Sequence, residues 1–184
     1  MTNSIDNVNR ATDNSPDMQR SLGTVAAVVT WLSWFAICPV LGFPNLATAG
    51  MINRIFFPTV PEAGHNPGYW IGLVIVIAAL GLAAIGFYLL DRTRFVRAGP
   101  GTGLLYGVLL WLLAGVVIMP LLGLLDPSVT QLGKNDAMRA TLMMASLGPL
   151  AALAALIGWL LFGGILGAAS TNSGDVHHGL GQIS

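Results

Sequence analysis

The residues able to do acid–base, metal or nucleophilic chemistry are few, and they lie outside the long apolar runs or bear no partner within them. The three histidines are His65, His177 and His178, and none falls within an apolar run. Histidine is the usual axial ligand of haem and a frequent metal ligand, so a centre buried among apolar helices has no histidine to hold it. His65 with Glu62 could bind a metal at a membrane surface; the plainer account is a solvated loop pair. His177-His178 reads as tail composition. Cys38 is the single cysteine, which excludes an internal disulfide and a multi-cysteine metal site, and it suits a small buried hydrophobe.

Thr30, Ser33 and Ser146 stand in apolar runs, where such side chains commonly bond their own helix backbone or a neighbour. A serine or cysteine nucleophile needs a base within reach, and no histidine is available at that depth. The G-x-G at Gly101 and Gly103 follows an arginine-bearing link instead of a strand and lacks a third glycine, so it fails as a phosphate-binding fingerprint. No apolar run carries an Asp, Glu, Lys or Arg at membrane depth, whereas proton relays and coupled transporters place ionisable groups there. Arg139 falls in the first turns of the fourth run, which are expected to stand outside the bilayer. The sequence therefore predicts no catalytic site, no cofactor and no metal, in a protein that is not an enzyme.

One charged cluster remains. The link over 91–100, DRTRFVRAGP, carries Arg92, Arg94 and Arg97 beside Asp91. These arginines could hold an anionic lipid headgroup at the cytoplasmic face. The plainer account is that they serve as topology determinants, because positive charge collects in cytoplasmic loops.

The elements that position these residues are long and apolar. The stretch 103–125, GLLYGVLLWLLAGVVIMPLLGLL, has no charged side chain. At a rise of about 1.5 Å per residue it just crosses a hydrocarbon core of about 30 Å, and in lipid it must be helical to satisfy its backbone. Three more runs accompany it, at about 21–43, 69–90 and 137–168. The expected fold is all-α, a polytopic membrane protein with four transmembrane helices forming one domain over 21–169. Hydrophobic residues make up 54% of the 184 residues and charged ones only 9%, against about 25% in soluble domains. Eight Lys plus Arg balance eight Asp plus Glu, which leaves no basic surface for nucleic acid.

Residues 1–20 and 170–184 are polar and are expected to be disordered tails. A cleaved signal peptide ending at Ala47-Thr48-Ala49 is the rival for the first run, but that run exceeds the 7–15 residues of a signal core. Pro39, Pro120 and Pro149 should kink the first, third and fourth helices. Residues 45–57 have the period of a short helix lying either in the headgroup plane or as a half-buried loop helix. Small residues that let helices approach closely are Gly81 and Gly86, Gly103 and Gly107, and Gly163 and Gly167.

The segment 39–43, PVLGF, lies over 120–124, PLLGL, and 71–80 lies over 147–156. This points to a duplicated helical hairpin whose symmetry axis runs along the membrane normal. The pattern of 111–124 (WLLAGVVIMPLLGL), its echo at 31–43 and a helix opened by Tyr69-Trp70 resemble uncharacterised prokaryotic four-helix membrane proteins. That resemblance covers about 22–168, carries no assigned activity and brings no site residues.

Arginine and lysine number five in the N-terminal tail and the 91–100 link against three (Arg54, Lys134, Arg139) in the two opposite connections. Both termini are therefore expected in the cytoplasm, with the chain in the cell (inner) membrane. The expected function is an accessory or scaffolding subunit, with the lipid bilayer and other membrane proteins, or the chain itself, as partners. The alternative is a channel or carrier for a small neutral solute, acting as a homo-oligomer.

Overall fold

The computed structural model describes residues 16–42, 55, 67–92, 99–126 and 141–171. Among them all regular structure is helical, and four helices are long and apolar enough to cross a membrane: Met18–Ile37, Trp70–Asp91, Pro100–Leu125 and Pro149–Thr171. The chain is thus an all-α, multi-pass membrane protein. The segment 45–54 and the tails 1–15 and 172–184 lie outside the described residues, as do His65, Glu62, His177 and His178.

Helix α1 (Pro16–Ile37) begins earlier than its apolar run does. Pro16 fits the first helical turn, where its missing N–H is not needed, so residues 16–20 are helical, and the candidate span starts at Met18. The helix also ends earlier, at Ile37, instead of continuing through a kink to Phe43. Pro39 cannot donate to the turn before it and disfavours helical backbone at Cys38. The chain closes in tight turns, Val40 N–H to Ile37 O at 2.9 Å and Gly42 N–H to Pro39 O at 3.2 Å, with Gly42 at φ +82°.

Helix α2 (Pro67–Arg92) is unbroken. The third span is α3 (Pro100–Leu113), one wider turn of π-helix (Ala114–Ile118) and α4 (Met119–Leu125). The wide turn explains how Pro120 is tolerated inside a span. Met119 N–H reaches back five residues to Ala114 O, and the proline enters on the relaxed side of that turn.

The fourth span departs most from expectation. It is not one kinked helix over 137–168 but a 3-10 segment, Leu142–Leu147, followed by α5 (Pro149–Thr171). Gly148 separates them at φ +85°, a conformation that costs glycine nothing, and Pro149 opens α5 as a first-turn proline. Met143, within the 3-10 segment, also has positive φ, at 50°. For a non-glycine residue such backbone costs about 1–3 kcal/mol and is held by its surroundings.

Helix α5 is the hub. Of its most apolar stretch 44% is buried, against 17–22% for the other three spans. It packs along α3 on one side and α1 on the other, whereas α2 touches the bundle more sparingly. The core joins Ala27 and Trp31 of α1, Leu80, Ala84 and Phe87 of α2, and Phe162 and Leu166 of α5. Aromatic rings fill it: Trp31 lies 4.1 Å from Phe35 and 5.6 Å from Trp159, centroid to centroid. Large apolar side chains such as Val25, Val74, Leu82 and Leu121 point outward, as lipid-facing residues do.

Helix α5 runs antiparallel to both α1 and α3. Gly23 meets Ala169, and Gly103 meets Gly167, so the start of α1, the start of α3 and the end of α5 share one end of the bundle. The Arg20–Asp91 pair puts the end of α2 there too. The hairpin duplication is not mirrored at the residues that point to it. Pro39 lies beyond its helix while Pro120 lies within one; Gly72 is helical while Gly148 breaks the chain direction.

Candidate functional site

Two arrangements gather the polar and small residues. The first is a polar knot at the shared end. Arg20, one turn into the described part of α1, places Nη2 3.7 Å from Asp91 Oδ2 and its guanidinium 5.8 Å from the centre of the Tyr88 ring. The Arg20 carbonyl accepts two hydroxyls, Thr24 Oγ1 at 2.9 Å and Tyr88 Oη at 3.0 Å. Hydroxyls in lipid seek backbone carbonyls because no water is there to serve them. Arg20 Nε is buried with no hydrogen-bond partner among the described residues. Side chains of Arg20 and Asp91 are 26% and 16% exposed, so the pair sits partly in solvent and is only modestly stabilising.

Of the three link arginines, Arg92 is the last residue of α2, with its side chain outside the described residues; Arg94 and Arg97 lie wholly outside them. The described arginine at this end is Arg20, which the sequence assigned to a tail. Its signal was available: a cation opening one span and an anion closing the next are brought level by any antiparallel hairpin.

The second arrangement is a glycine seam between α3 and α5. A Cβ on Gly103 would overlap the Gly163 carbonyl and come 2.8 Å from Gly167 Cα; one on Gly107 would overlap the Trp159 carbonyl. Gly163 faces the Gly103 carbonyl, and Gly167 faces that of Gly99. The four glycines named from two small-xxx-small pairs thus lie against one another, and backbones this close gain dispersion contact along the whole crossing. Gly86 has the Tyr106 hydroxyl 3.1 Å from where its Cβ would be. Gly81 makes no such contact within the chain: nothing lies within 4 Å of its Cβ position. The inward face of α2 carries Leu80, Ala84 and Phe87, and Gly81 sits around the helix from them.

Beyond the seam, tryptophans take over. Trp34 Nε1 donates to Ala154 O at 2.8 Å and Trp111 Nε1 to Ala152 O at 3.1 Å, so α1 and α3 both hold the first turns of α5. Gly158 leaves room for the Phe35 and Trp34 rings. Gly115, in the π turn, receives the Met143 thioether, and Gly123 receives Thr141. The notches at Gly115 and Gly123 fall outside any small-xxx-small pair, and only the folded partner identifies them. Thr30 is half-buried, Ser33 faces outward, Cys38 is fully buried beside Ala151, Ala154 and Ala155, and the Ser146 side chain is outside the described residues.

A groove of about 90 Å³ lies between α2 and α3 near the polar knot, and a space of about 10 Å³ lies between Trp111, Gly115, Met143 and Trp159. Neither is lined by Thr30 or Ser33. The chain matches no family model, and neither a curated protein nor a solved structure is similar to it.

Proposed function

We propose that this chain is a non-catalytic accessory or scaffolding subunit of a larger membrane complex, in the cell (inner) membrane with both termini cytoplasmic. The observation that carries the proposal is the outward face of α2. Ala78 and Ala79 are exposed, Gly81 has open space where a Cβ would stand, and Val74, Leu82 and Ile85 flank them. The bundle itself joins α3 to α5 through small residues, and α2 offers the same device to a helix outside the bundle. The arginine-rich link between α2 and α3 supports the orientation.

Purification of the tagged full chain in mild detergent tests it, with a photo-cross-linker at position 81. A stoichiometric second membrane protein cross-linked through that position is the expected result. A monomer or homo-oligomer with no partner would count against the proposal.

A neutral-solute channel or carrier is the second reading. Its support is the side-by-side departure of two spans from α-helix, at Ala114–Ile118 and at Leu142–Gly148, since irregular backbone in lipid occurs where protein or a cavity covers it. Solute flux into liposomes carrying the purified chain separates it from the first.

A further inference from the structure

The 3-10 segment Leu142–Leu147 lies against the π turn, α4 and the start of α5. Leu142 and Leu147, at its two ends, point outward. Met143 is half-buried, and its thioether occupies the notch that Gly115 leaves in the π turn. Met143 is also the only non-glycine with positive φ among the described residues, at 50°. Nothing in a methionine favours that conformation, so the backbone stays there because the side chain is seated. Gly148, at φ +85° and with open space where a Cβ would stand, joins the segment to α5. The segment is therefore a short strap, latched near one end and joined through a permissive residue at the other.

The latching atom is a sulfur, which oxidation turns from apolar to polar. Because Met143 is half-buried, a small oxidant can reach it, whereas Met119, next to the π turn, is 7% exposed. Hydrogen peroxide transfers one oxygen to Sδ: its O–O bond breaks, an S–O bond forms, the sulfur gives up two electrons and water leaves. The added oxygen has little room. The space beside the thioether, among Trp111, Gly115 and Trp159, is about 10 Å³, the lower limit for one water-sized group. The Gly115 backbone closes the notch itself, and the Trp111 indole N–H already donates to Ala152 O. A sulfoxide loses this seat, and with it the contact that offsets the strain at Met143. We propose that Met143 is a reversible oxidation site, a redox-sensitive latch whose sulfoxide releases Leu142–Leu147 from the third span.

The test treats the full chain in nanodiscs with hydrogen peroxide and follows amide hydrogen exchange by mass spectrometry, which resolves oxidised from unoxidised peptides. Sulfoxide at Met143 should form several-fold faster than at Met119. In the oxidised fraction the amides of 142–147 should exchange about tenfold faster, the factor expected when backbone strain of ordinary size is no longer offset. Methionine sulfoxide reductases should restore the slow exchange. Met143→Leu keeps the volume and removes the sulfur. Peroxide still meets the neighbouring Met144 in that variant, yet exchange over 142–147 should not respond. The unmodified chain gives its result whether or not the variant folds. Sulfoxide at Met143 with unchanged exchange, or equal acceleration in Met143→Leu, would overturn the proposal. So would oxidation of Met143 no faster than that of Met119.

Discussion

Gly103 and Gly163 stand back to back, each with the other's carbonyl oxygen where its own Cβ would be. No side chain larger than hydrogen fits at either position unless α3 and α5 move apart. Alanine at either one brings about 1 kcal/mol of helix propensity, but overpacking costs about 1–3 kcal/mol and should win because the obstructing atoms are backbone. Gly103→Ala and Gly163→Ala are therefore expected to lower the thermal midpoint in detergent. Gly81→Ala, with open space around it, should leave the midpoint unchanged or raise it.

Gly148 and Gly101 separate conformation from space. Neither has a neighbour within 4 Å of its Cβ position, but only Gly148 has positive φ. Gly148→Ala should destabilise by about 1–2 kcal/mol from backbone strain alone, and Gly101→Ala should be neutral or stabilising. Equal effects of the two in a denaturant titration would mean that the turn between the 3-10 segment and α5 is not left-handed.

The polar knot divides into two parts with different salt responses. Asp91→Asn removes a partly exposed ion pair and should cost at most about 1 kcal/mol, less at high salt. Tyr88→Phe removes a hydroxyl bonded to the Arg20 carbonyl and should cost about 1 kcal/mol at any salt concentration. Unfolding measured at low and high ionic strength distinguishes them.

Trp34 and Trp111 hold the first turns of α5 through their indole N–H groups. Trp34→Phe and Trp111→Phe should each cost about 0.6–1.5 kcal/mol, the range of hydrogen bonds within membrane bundles and in proteins generally. Ser33→Ala, one residue away on the outward face, should cost nothing measurable in the same assay.

The four spans and the two glycine pairs of the seam were legible because each is local: a charge-free run of sufficient length, or two glycines one turn apart. Which pair faces which was not local. Nor was the outcome at the prolines. Pro39 ends a helix, Pro120 is absorbed by a π turn and Pro149 begins a helix, although the sequence says of each only that an N–H is missing. Gly81 and Gly86 look alike in sequence, and the position of Tyr106 alone makes one a contact and the other open space. Arg20 read as the edge of a tail because proline-started helix turns outside the apolar run carry no hydrophobic period.

The fold requires four spans that cross in alternation, with the start of α1, the link between α2 and α3, and the end of α5 at one face. Single cysteines in a Cys38→Ala background, probed in intact inverted and right-side-out vesicles with a membrane-impermeant maleimide, test this directly. Cysteines at Ser4, Arg94 and Ser173 should label together from one side, and those at His65 and Lys134 from the other. Labelling of positions 94 and 134 from the same side would contradict the arrangement.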